Sequence, residues 1–428
     1  MRTVPNAHDN PTQLLTCVAR DVGYGRTQAA ITTFNGKKIP YTEDSSIAFS
    51  FQYDNGTYEV FVVADGHGGS HEFSTQSCRL TFDLLQGLVR KHGGDVPLAL
   101  GELAQSIHER ISKSDLGRKK GGTTYCIRVH LGYKMWVGNL GDSSVVVFNL
   151  DNGEYVEYWR TIDMDASNTE EQARILRNDG NYFDGEQPFE RFEKAAPRIS
   201  ITYLVNPKAK RRGLSCKLMT TAGFGDYSMD EPIGTIRRTL VIDEVDLNPN
   251  SVVLHTSDGL YEHYHKGLKP PVFGEPSLRI REIGTYLTVH RNSMFIDDRL
   301  KNLASINGEY TEISGMHNGD NVAKLLINDQ VAKMVDTFRS VYPHATGDAA
   351  VDSVLNLFDN HVVFVSAFAK PPEDCMGRAY TYTGSYGHDS VEIPARAMSK
   401  GGRNNKSPPK LSQKRSPKPK IPTWMKRR

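Results

Sequence analysis

An aspartate and a histidine lie in a glycine-rich turn that directly follows an apolar segment of this sequence. Residues 60–64, Val-Phe-Val-Val-Ala, are typical of a buried strand, and Asp65-Gly66-His67-Gly68-Gly69 comes next. Such a strand would hold the Asp65 carboxylate at an exposed sheet edge, where it could serve as a metal ligand. Glycine at 66 would let a backbone carbonyl approach a bound ion, because no Cβ stands in the way. The alternative is an ordinary acidic β-turn, so the interpretation depends on whether other acids converge on Asp65.

Four acids share one setting, because each lies where an apolar predicted strand begins or ends. Each also has a neighbour that can turn tightly or form hydrogen bonds. Carboxylates and carbonyls without histidine or cysteine partners suit hard cations, so the pattern predicts a site for Mg²⁺ or Mn²⁺. The four are Asp65 after residues 58–64, Asp142 between 134–139 and 144–149, Asp258 after 251–256, and Asp359 before 361–368.

The predicted strands alternate with helices. Residues 47–64 are expected to form a hairpin around Asp54-Asn55-Gly56, because Asn55-Gly56 tolerates the positive φ angles of a tight turn. Apolar residues recur at helical spacing over 72–92 and 97–114. This order favours an α/β (α+β) class in which antiparallel sheets are covered by helices. Further elements are strands at 122–131 and 154–160, a helix that starts at the capping box Thr169-Glu170-Glu171-Gln172, and a helix at 320–342.

Length and composition indicate one large domain with flanking segments. The 428 residues are 38% hydrophobic and 24% charged, as in globular proteins. We expect an N-terminal arm at 1–25 and a folded domain at 26–370 with inserts at 181–215 and 266–318. Residues 371–428 are rich in Pro, Ser and Lys and are expected to form a disordered tail.

Several protein classes lack support in this sequence. No apolar run is long enough to span a bilayer, and the first ten residues lack the apolar core of a secretory signal. The five cysteines form no C-x-x-C pair, so neither a disulfide framework nor a thiolate zinc site is indicated. We therefore expect an intracellular, nuclear or cytoplasmic protein that is a monomer and has no membrane partner.

The predicted tail is basic, whereas the rest of the chain is acidic. From Ser399 to Arg428 there are 11 lysines and arginines and no acids, which leaves 41 basic against 50 acidic residues elsewhere. Ser407-Pro408-Pro409-Lys410 has the form S-P-x-K that proline-directed kinases recognise, and Ser416-Pro417-Lys418-Pro419-Lys420 is a similar Ser-Pro sequence with lysines after it. The tail could bind an import receptor as a nuclear localisation signal, or contact nucleic acid through its phosphates alone. The alternative is a solvated tail without a partner.

The acidic motifs, taken together and in order, resemble those of the metal-dependent protein Ser/Thr phosphatases called PPM or type 2C. The resemblance spans about residues 40–370 and includes eight short motifs. A single Asp-Gly pair is a weak signal, but eight motifs in the family order are specific. They are Thr42-Glu43-Asp44, Asp65-Gly66-His67-Gly68-Gly69, Gly122-Thr123-Thr124, Gly141-Asp142-Ser143, Glu171 with Arg174-Ile175 and Gly180, Gly225-Asp226, Ser257-Asp258-Gly259-Leu260, and Asp359-Asn360.

The resemblance implies a four-layer α-β-β-α sandwich with two central antiparallel β-sheets and a dinuclear metal site at one edge. It also implies two Mg²⁺ or Mn²⁺ ions, with a third, weaker site. Asp65 would bridge the two ions, and a hydroxide between them would attack phosphorus in line. The implied metal residues are Asp65, the Gly66 carbonyl, Asp258 and Asp359, with Glu43 and Asp44 holding metal-bound waters and Asp142 and Glu262 at the third site.

Two further roles follow from the resemblance. His67 would protonate the leaving serine or threonine oxygen as a general acid, although a histidine in a glycine turn could instead only orient a ligand. Thr124 would be a further catalytic residue.

Substrate binding departs from the family pattern. Relatives usually carry a phosphate-binding arginine where Ile39 stands here, and the stretch 219–224 lacks the usual arginine. Lys37 or Lys38 could reach the same anion, although a lysine offers a point charge where an arginine offers a fork. Arg211 and Arg212, in the basic cluster 208–212, are the other candidates for contact with the substrate phosphate.

The function implied by the resemblance is hydrolysis of phosphoserine and phosphothreonine in phosphoprotein substrates. The alternative is a pseudophosphatase, in which the same fold serves as a binding or regulatory scaffold. All the candidate ligands are retained, and clustered carboxylates repel one another when no cation is present. Retention of these acids therefore favours the enzyme.

Overall fold

The fold is built on antiparallel strands, some of which pair with the next strand along the chain and others with distant strands. The computed structural model describes residues 13–21, 31–34, 37–40, 43–68, 71–177, 182–186, 201–206, 217–230, 234–258, 260, 276–289, 323, 326, 329, 361–369 and 384–386. The strands in these ranges are β1 Gln13–Asp21, β2 Ile31–Phe34, β3 Lys37–Pro40, β4 Ser45–Tyr53, β5 Gly56–Ala64, β6 Gly66–His67, β7 Gly122–Thr123, β8 Tyr125–Leu131, β9 Lys134–Leu140, β10 Ser144–Asp151, β11 Glu154–Arg160, β12 Tyr182–Glu186, β13 Ile201–Val205, β14 Lys217–Leu218, β15 Phe224–Gly225, β16 Val241–Asp246, β17 Val252–Thr256, β18 His361–Ala369 and β19 Gly384–Tyr386.

The described helices include the two that apolar periodicity predicted over 72–92 and 97–114. They are α1 Glu72–Lys91, α2 Val96–Lys113, α3 Thr169–Leu176 and α4 Pro276–Val289, with a 3₁₀ turn at Asp115–Arg118. Residues 323, 326 and 329 are also helical, inside the helix predicted at 320–342. Among the described helices, none is both long and apolar enough to cross a membrane.

Two large sheets form the centre of the fold. The first has six strands in the order β16-β9-β8-β5-β4-β19, and the second has five in the order β1-β18-β17-β10-β11. All the pairings in both sheets are antiparallel. Smaller sheets have the orders β15-β7-β6, β12-β13-β14 and β2-β3.

Alternating side chains of the two large sheets define the layers. One face of the six-stranded sheet, including Val60 and Val62, packs against α1 and α2. Its other face, including Phe61 and Val63, packs against side chains of the five-stranded sheet such as Phe364. The outer face of that second sheet is covered by α4. The α-β-β-α sandwich predicted from the resemblance is therefore confirmed.

The β4–β5 hairpin forms as predicted, but its turn is shifted by one residue. Tyr53 pairs with Gly56, and the two central residues, Asp54 and Asn55, have φ of 44° and 63°. Asparagine and aspartate tolerate this left-handed region better than other residues with a Cβ. Asp54-Asn55, rather than Asn55-Gly56, therefore forms the turn.

The start of α3 also differs by one residue from the sequence prediction. The side chain of Asn168 accepts hydrogen bonds from the backbone N–H groups of Glu170 and Glu171, at 2.9 and 3.2 Å. Asn168 is thus the N-cap, and the prediction that Thr169 caps the helix is wrong. The following Gly180 lies outside the described residues.

Some elements lie where the sequence indicated irregular chain. Strand β1 lies within the predicted arm and pairs with β18 over nine residues, from Gln13 with Ala369 to Asp21 with His361. Strand β19 lies within the predicted tail and pairs with β4. Strands β12 and β13 lie in the first predicted insert, and α4 lies in the second. The pairings of β1 and β19 join segments far apart in sequence, so local periodicity does not reveal them.

Candidate metal centre and active site

The first acidic motifs meet at one end of the six-stranded sheet. Strand β4 begins where β5 ends, with Ser45 paired to Ala64, so Asp44 and Asp65 both lie just beyond that end. Glu43 and Asp44 are buried, and Asp65 is half-buried. A Cβ on Gly66 would lie 2.2 Å from the carbonyl oxygen of Glu43. The backbones of the two motifs are therefore in contact, and only glycine at 66 allows this approach.

Two more acids meet at one end of the five-stranded sheet. Ser144, at the start of β10, pairs with Thr256, at the end of β17, so Asp142 and Asp258 lie beyond the same end of the sheet. Both side chains are half-buried. Strand β18 begins at His361 beside them, since Thr256 also pairs with Val363. Antiparallel pairing thus brings together acids that are more than a hundred residues apart in sequence.

Thr124 connects the acids of the two sheets. Its backbone N–H donates to the Asp65 carbonyl oxygen at 2.8 Å, and its Oγ1 accepts from the Asp65 N–H at 3.2 Å. The same Oγ1 lies 2.7 Å from Oγ of Ser143, next to Asp142. The side chain of Thr124 is buried. These contacts give Thr124 a role in holding the Asp65 and Asp142 turns at a fixed separation.

His67 is bound by a carboxylate to which the sequence prediction gave no role. Its Nε2 lies 2.6 Å from Oδ2 of Asp226, and the two side chains are 23% and 7% exposed. Burial alone would lower the pKa of His67, but the nearby carboxylates of Asp226, Asp142 and Glu43 together raise it. The protonated imidazole is therefore favoured. Asp226 appeared in the sequence only as part of Gly225-Asp226.

A buried ion-pair network anchors the segment that carries Asp226. Oε1 of Glu171 accepts from Arg237 at 2.6 Å, and Oε2 accepts from Arg174 at 2.7 Å and from the hydroxyl of Thr221 at 2.9 Å. Burial would raise the pKa of Glu171, but the hydrogen bonds from Arg174 and Arg237 lower it. The network fixes α3 to residues 219–237.

Of the remaining six candidate residues, the structure describes two, Lys37 and Lys38, which lie on β3 where its backbone pairs with β2. The other four, Asp359, Glu262, Arg211 and Arg212, lie outside the described residues.

The acids present suit a hard divalent cation. Within the described ranges, no three carboxylate, histidine or cysteine side chains form a ready-made metal group. The acids at these two sheet ends nevertheless offer only oxygen donors. Oxygen-only donor sets match the preference of Mg²⁺ and Mn²⁺. Glu43, Asp44, Asp65, Asp142 and Asp258 are therefore compatible with the predicted centre.

Comparison with known proteins agrees with this geometry. A sequence profile described as protein phosphatase 2C matches residues 34–266, more than half of the chain. A search of curated proteins finds no match.

Among solved structures, a crystal structure of serine-threonine phosphatase 2C from Toxoplasma gondii is similar, with 14% identity and a TM-score of 0.50 over 84% of this chain and 96% of that one. A C. elegans sex determining protein shares 17% identity, with a TM-score of 0.43 over 85% of this chain and 66% of that one. The S. agalactiae serine/threonine phosphatase shares 12% identity, with a TM-score of 0.39 over 83% of this chain and 100% of that one. The Toxoplasma structure supports the fold, and the profile match over residues 34–266 shows that the chain belongs to the protein phosphatase 2C family.

Proposed function

We propose that this chain is an active phosphatase that hydrolyses phosphoserine and phosphothreonine in proteins, with Mg²⁺ or Mn²⁺ as its cofactor. Membership of the protein phosphatase 2C family supports the reaction class. The observation that carries the proposal is the convergence of the acids from both sheets beside His67. Asp65 and Asp142 are joined through Thr124 and Ser143, and His67 lies in the same turn as Asp65.

The proposed metal residues are acids of the family motifs, together with the carbonyl of Gly66 and with Glu262. Asp65, the Gly66 carbonyl and Asp258 would hold the ions, with Asp359 as a further ligand and with Glu43 and Asp44 beside them. Asp142 and Glu262 would serve a third position. When bound, the ions supply Lewis-acid activation of water and neutralise charge on the phosphoryl oxygens.

His67 has the environment of a general acid in this reaction. The carboxylates around it raise its pKa, which favours the protonated imidazole that would give its proton to the departing serine or threonine oxygen. Alkoxide is a poor leaving group, so this proton transfer matters more for protein substrates than for aryl phosphates.

Phosphate recognition is proposed to involve basic residues other than an arginine at position 39. Lys37 and Lys38 directly precede position 39 on β3. Arg211 and Arg212 belong to the basic cluster 208–212. Their positive charge would attract acidic phosphopeptides. The basic tail, 399–428, is proposed to contact an import receptor or nucleic acid and to direct the protein to the nucleus.

A second candidate is a pseudophosphatase that uses the fold as a scaffold. The specific observation in its favour is Ile39, which stands where relatives usually have an arginine. Retention of the acids Glu43, Asp44, Asp65, Asp142 and Asp258 argues against it, because clustered carboxylates repel one another when no cation is present.

The test is hydrolysis of a phosphothreonine peptide by the full chain with Mn²⁺ and with EDTA, using wild type, Asp65→Asn and Asp258→Asn. We expect metal-dependent turnover that falls by about 100-fold or more in each variant, because both remove a proposed ligand charge. Equal rates in all conditions would contradict the metal mechanism. A wild type that folds but shows no turnover with metal would support the scaffold instead.

A further inference from the structure

The contact between His67 and Asp226 is built into the backbone around it. In the small sheet β15-β7-β6, His67 pairs with Gly122, and Gly122 pairs in turn with Gly225. Asp226 follows Gly225 directly, and Gly122 lies between Gly225 and His67 in the sheet. The side chain of Asp226 therefore passes Gly122 to reach the imidazole. The backbone N–H of Asp226 donates to the carbonyl oxygen of Gly121 at 2.8 Å, which fixes the start of this connection.

The approach of Asp226 has a local conformational cost. Asp226 has φ of 50°, in the left-handed region that residues with a Cβ rarely adopt. A Cβ on Gly122 would lie 2.2 Å from Oδ2 of Asp226, so any other residue at 122 would displace the carboxylate. Uncommon backbone conformations of this kind persist where the surrounding structure holds them, and they concentrate at functional sites.

We propose that Asp226 is a positioning residue that fixes the imidazole ring of His67 for proton donation to the leaving group, an inference that rests on the proposed phosphatase function. The Asp226 carboxylate is hydrogen-bonded to Nε2 of His67. Nδ1 is therefore the ring nitrogen that can donate to the substrate. The Nδ1 proton moves to the serine or threonine oxygen as the P–O bond breaks, and the bonding electrons stay on that oxygen. The ring is left neutral, with its Nε2–H still donating to an ionised Asp226.

A purely structural role is the competing explanation. In that case Asp226 only connects β15 to β6 through its contact with His67. Its loss would then lower the rate of hydrolysis of every substrate equally. The two explanations differ in how the effect depends on the leaving group. A threonine alkoxide needs a proton as it departs, whereas p-nitrophenolate is a weak base and departs without one.

The kinetic test uses the full chain with Mn²⁺ and compares a phosphothreonine peptide with p-nitrophenyl phosphate. Asp226→Gly removes the carboxylate and suits the positive φ, whereas Asp226→Asn keeps an oxygen that can accept from Nε2–H. Tyr227→Phe is the matched control, because it deletes a neighbouring hydroxyl and keeps the ring that packs on the core.

We expect Asp226→Gly to lower kcat on the peptide by about 10-fold to 100-fold, with KM unchanged and with less than about threefold loss on p-nitrophenyl phosphate. Asp226→Asn should be intermediate, and Tyr227→Phe should match wild type. The double variant His67→Ala/Asp226→Gly should be no slower than His67→Ala, because both changes remove one function. Equal losses on the two substrates, or multiplicative losses in the double variant, would overturn the inference.

A second readout does not depend on activity. In the metal-free full chain with ¹⁵N-labelled histidine, we expect a downfield proton resonance bonded to Nε2 of His67, present in Tyr227→Phe and absent in Asp226→Gly. A wild type without this resonance overturns the inference. A wild type that shows it but hydrolyses neither substrate overturns the proposed function, and with it the role of Asp226. An active wild type in which Asp226→Gly has no effect overturns the inference alone.

Discussion

At the residue scale, Gly66 shows how a backbone contact assembles the candidate centre. The carbonyl oxygen of Glu43 lies where a side chain at 66 would have to be, 2.2 Å from an ideal Cβ. The two predicted ligand motifs are therefore held together by packing of the main chain. Any residue larger than glycine must separate them.

Replacing Gly66 with alanine tests this contact. We expect Gly66→Ala to weaken Mn²⁺ binding and to lower phosphothreonine peptide hydrolysis by about tenfold or more, because a displacement of even 1 Å at a site is costly. Gly87→Ala in α1 is the control, since a Cβ there meets nothing within 4 Å and alanine favours a helix. A Gly66→Ala protein with the wild-type rate and metal affinity would show that the contact does not matter.

The sequence predicted most of the residues at this site but not all of their contacts. Asp65, Asp142 and Asp258 were found because each lies at a strand end, where a periodic apolar pattern stops. Asp226 was seen only within a short motif, because its approach to His67 depends on the positive φ at 226 and on the absence of a Cβ at 122. The glycine at 122 is visible in the sequence, but the positive φ at 226 and the closeness of Gly122 to Asp226 are not.

At the element scale, helix α3 is fixed to the segment before Asp226 by a single buried carboxylate. Glu171 accepts from Arg174, Arg237 and Thr221, and its side chain is 4% exposed. Loss of its charge would remove the carboxylate partner of two half-buried guanidinium groups. The segment 219–226 would then lose one of its contacts with α3.

Substituting Glu171 with glutamine should lower the free energy of unfolding by about 1–3 kcal/mol at pH 7, because charge-assisted hydrogen bonds are lost. Glu170→Gln, at an exposed neighbouring position, should change it by less than about 0.5 kcal/mol. The pKa of Glu171 is lowered in the folded chain. Its contribution to the free energy of unfolding is therefore present above the ordinary pKa of 4.5 and is lost as pH falls through the lower folded pKa. Denaturant unfolding at pH 7 and pH 3 measures both effects. A Glu171→Gln deficit that is the same at both pH values would contradict the assigned ion pairs.

Elements with local signals were predicted well, and elements made by distant pairing were not. The hairpin β4–β5 and the helices α1 and α2 have turn residues or apolar periodicity of their own. Strand β1 has a short apolar run, but its strand conformation depends on β18, some 350 residues away, for example through the 2.7 Å contact of Thr16 with Ser366. Strand β16 is largely exposed and acidic, so no alternating pattern marks it.

At the scale of the whole molecule, charged groups lie between the two large sheets. Arg128 is fully buried, lies 4.1 Å over the ring of Phe61, and donates to the hydroxyl of Ser366 at 2.5 Å. Burial lowers the pKa of Arg128 to about 9. Burial also raises the pKa of Glu59 to about 7, although the charge of Arg128 opposes this rise. The sandwich is thus sensitive to pH at its centre.

This arrangement predicts that the fold loses stability between pH 4.5 and about 7. The pKa of Glu59 is raised from 4.5 to about 7 in the folded chain. Its contribution to the free energy of unfolding is therefore complete below pH 4.5 and is lost as pH rises through 7. Denaturant unfolding in EDTA at pH 5 and pH 8 should show a smaller loss for Glu59→Gln than for wild type or for Glu154→Gln, an exposed control. Parallel losses in all three proteins would contradict the assignment.

The central claim is that acids from both sheets form one centre for divalent cations. The most direct measurement is calorimetric titration of the full chain with Mn²⁺, using wild type, Asp65→Asn and the exposed control Asp243→Asn. We predict at least two ions per wild-type chain, the same number for Asp243→Asn, and fewer or much weaker sites for Asp65→Asn. A wild type that binds no Mn²⁺, or an Asp65→Asn variant that binds it as wild type does, would contradict the claim.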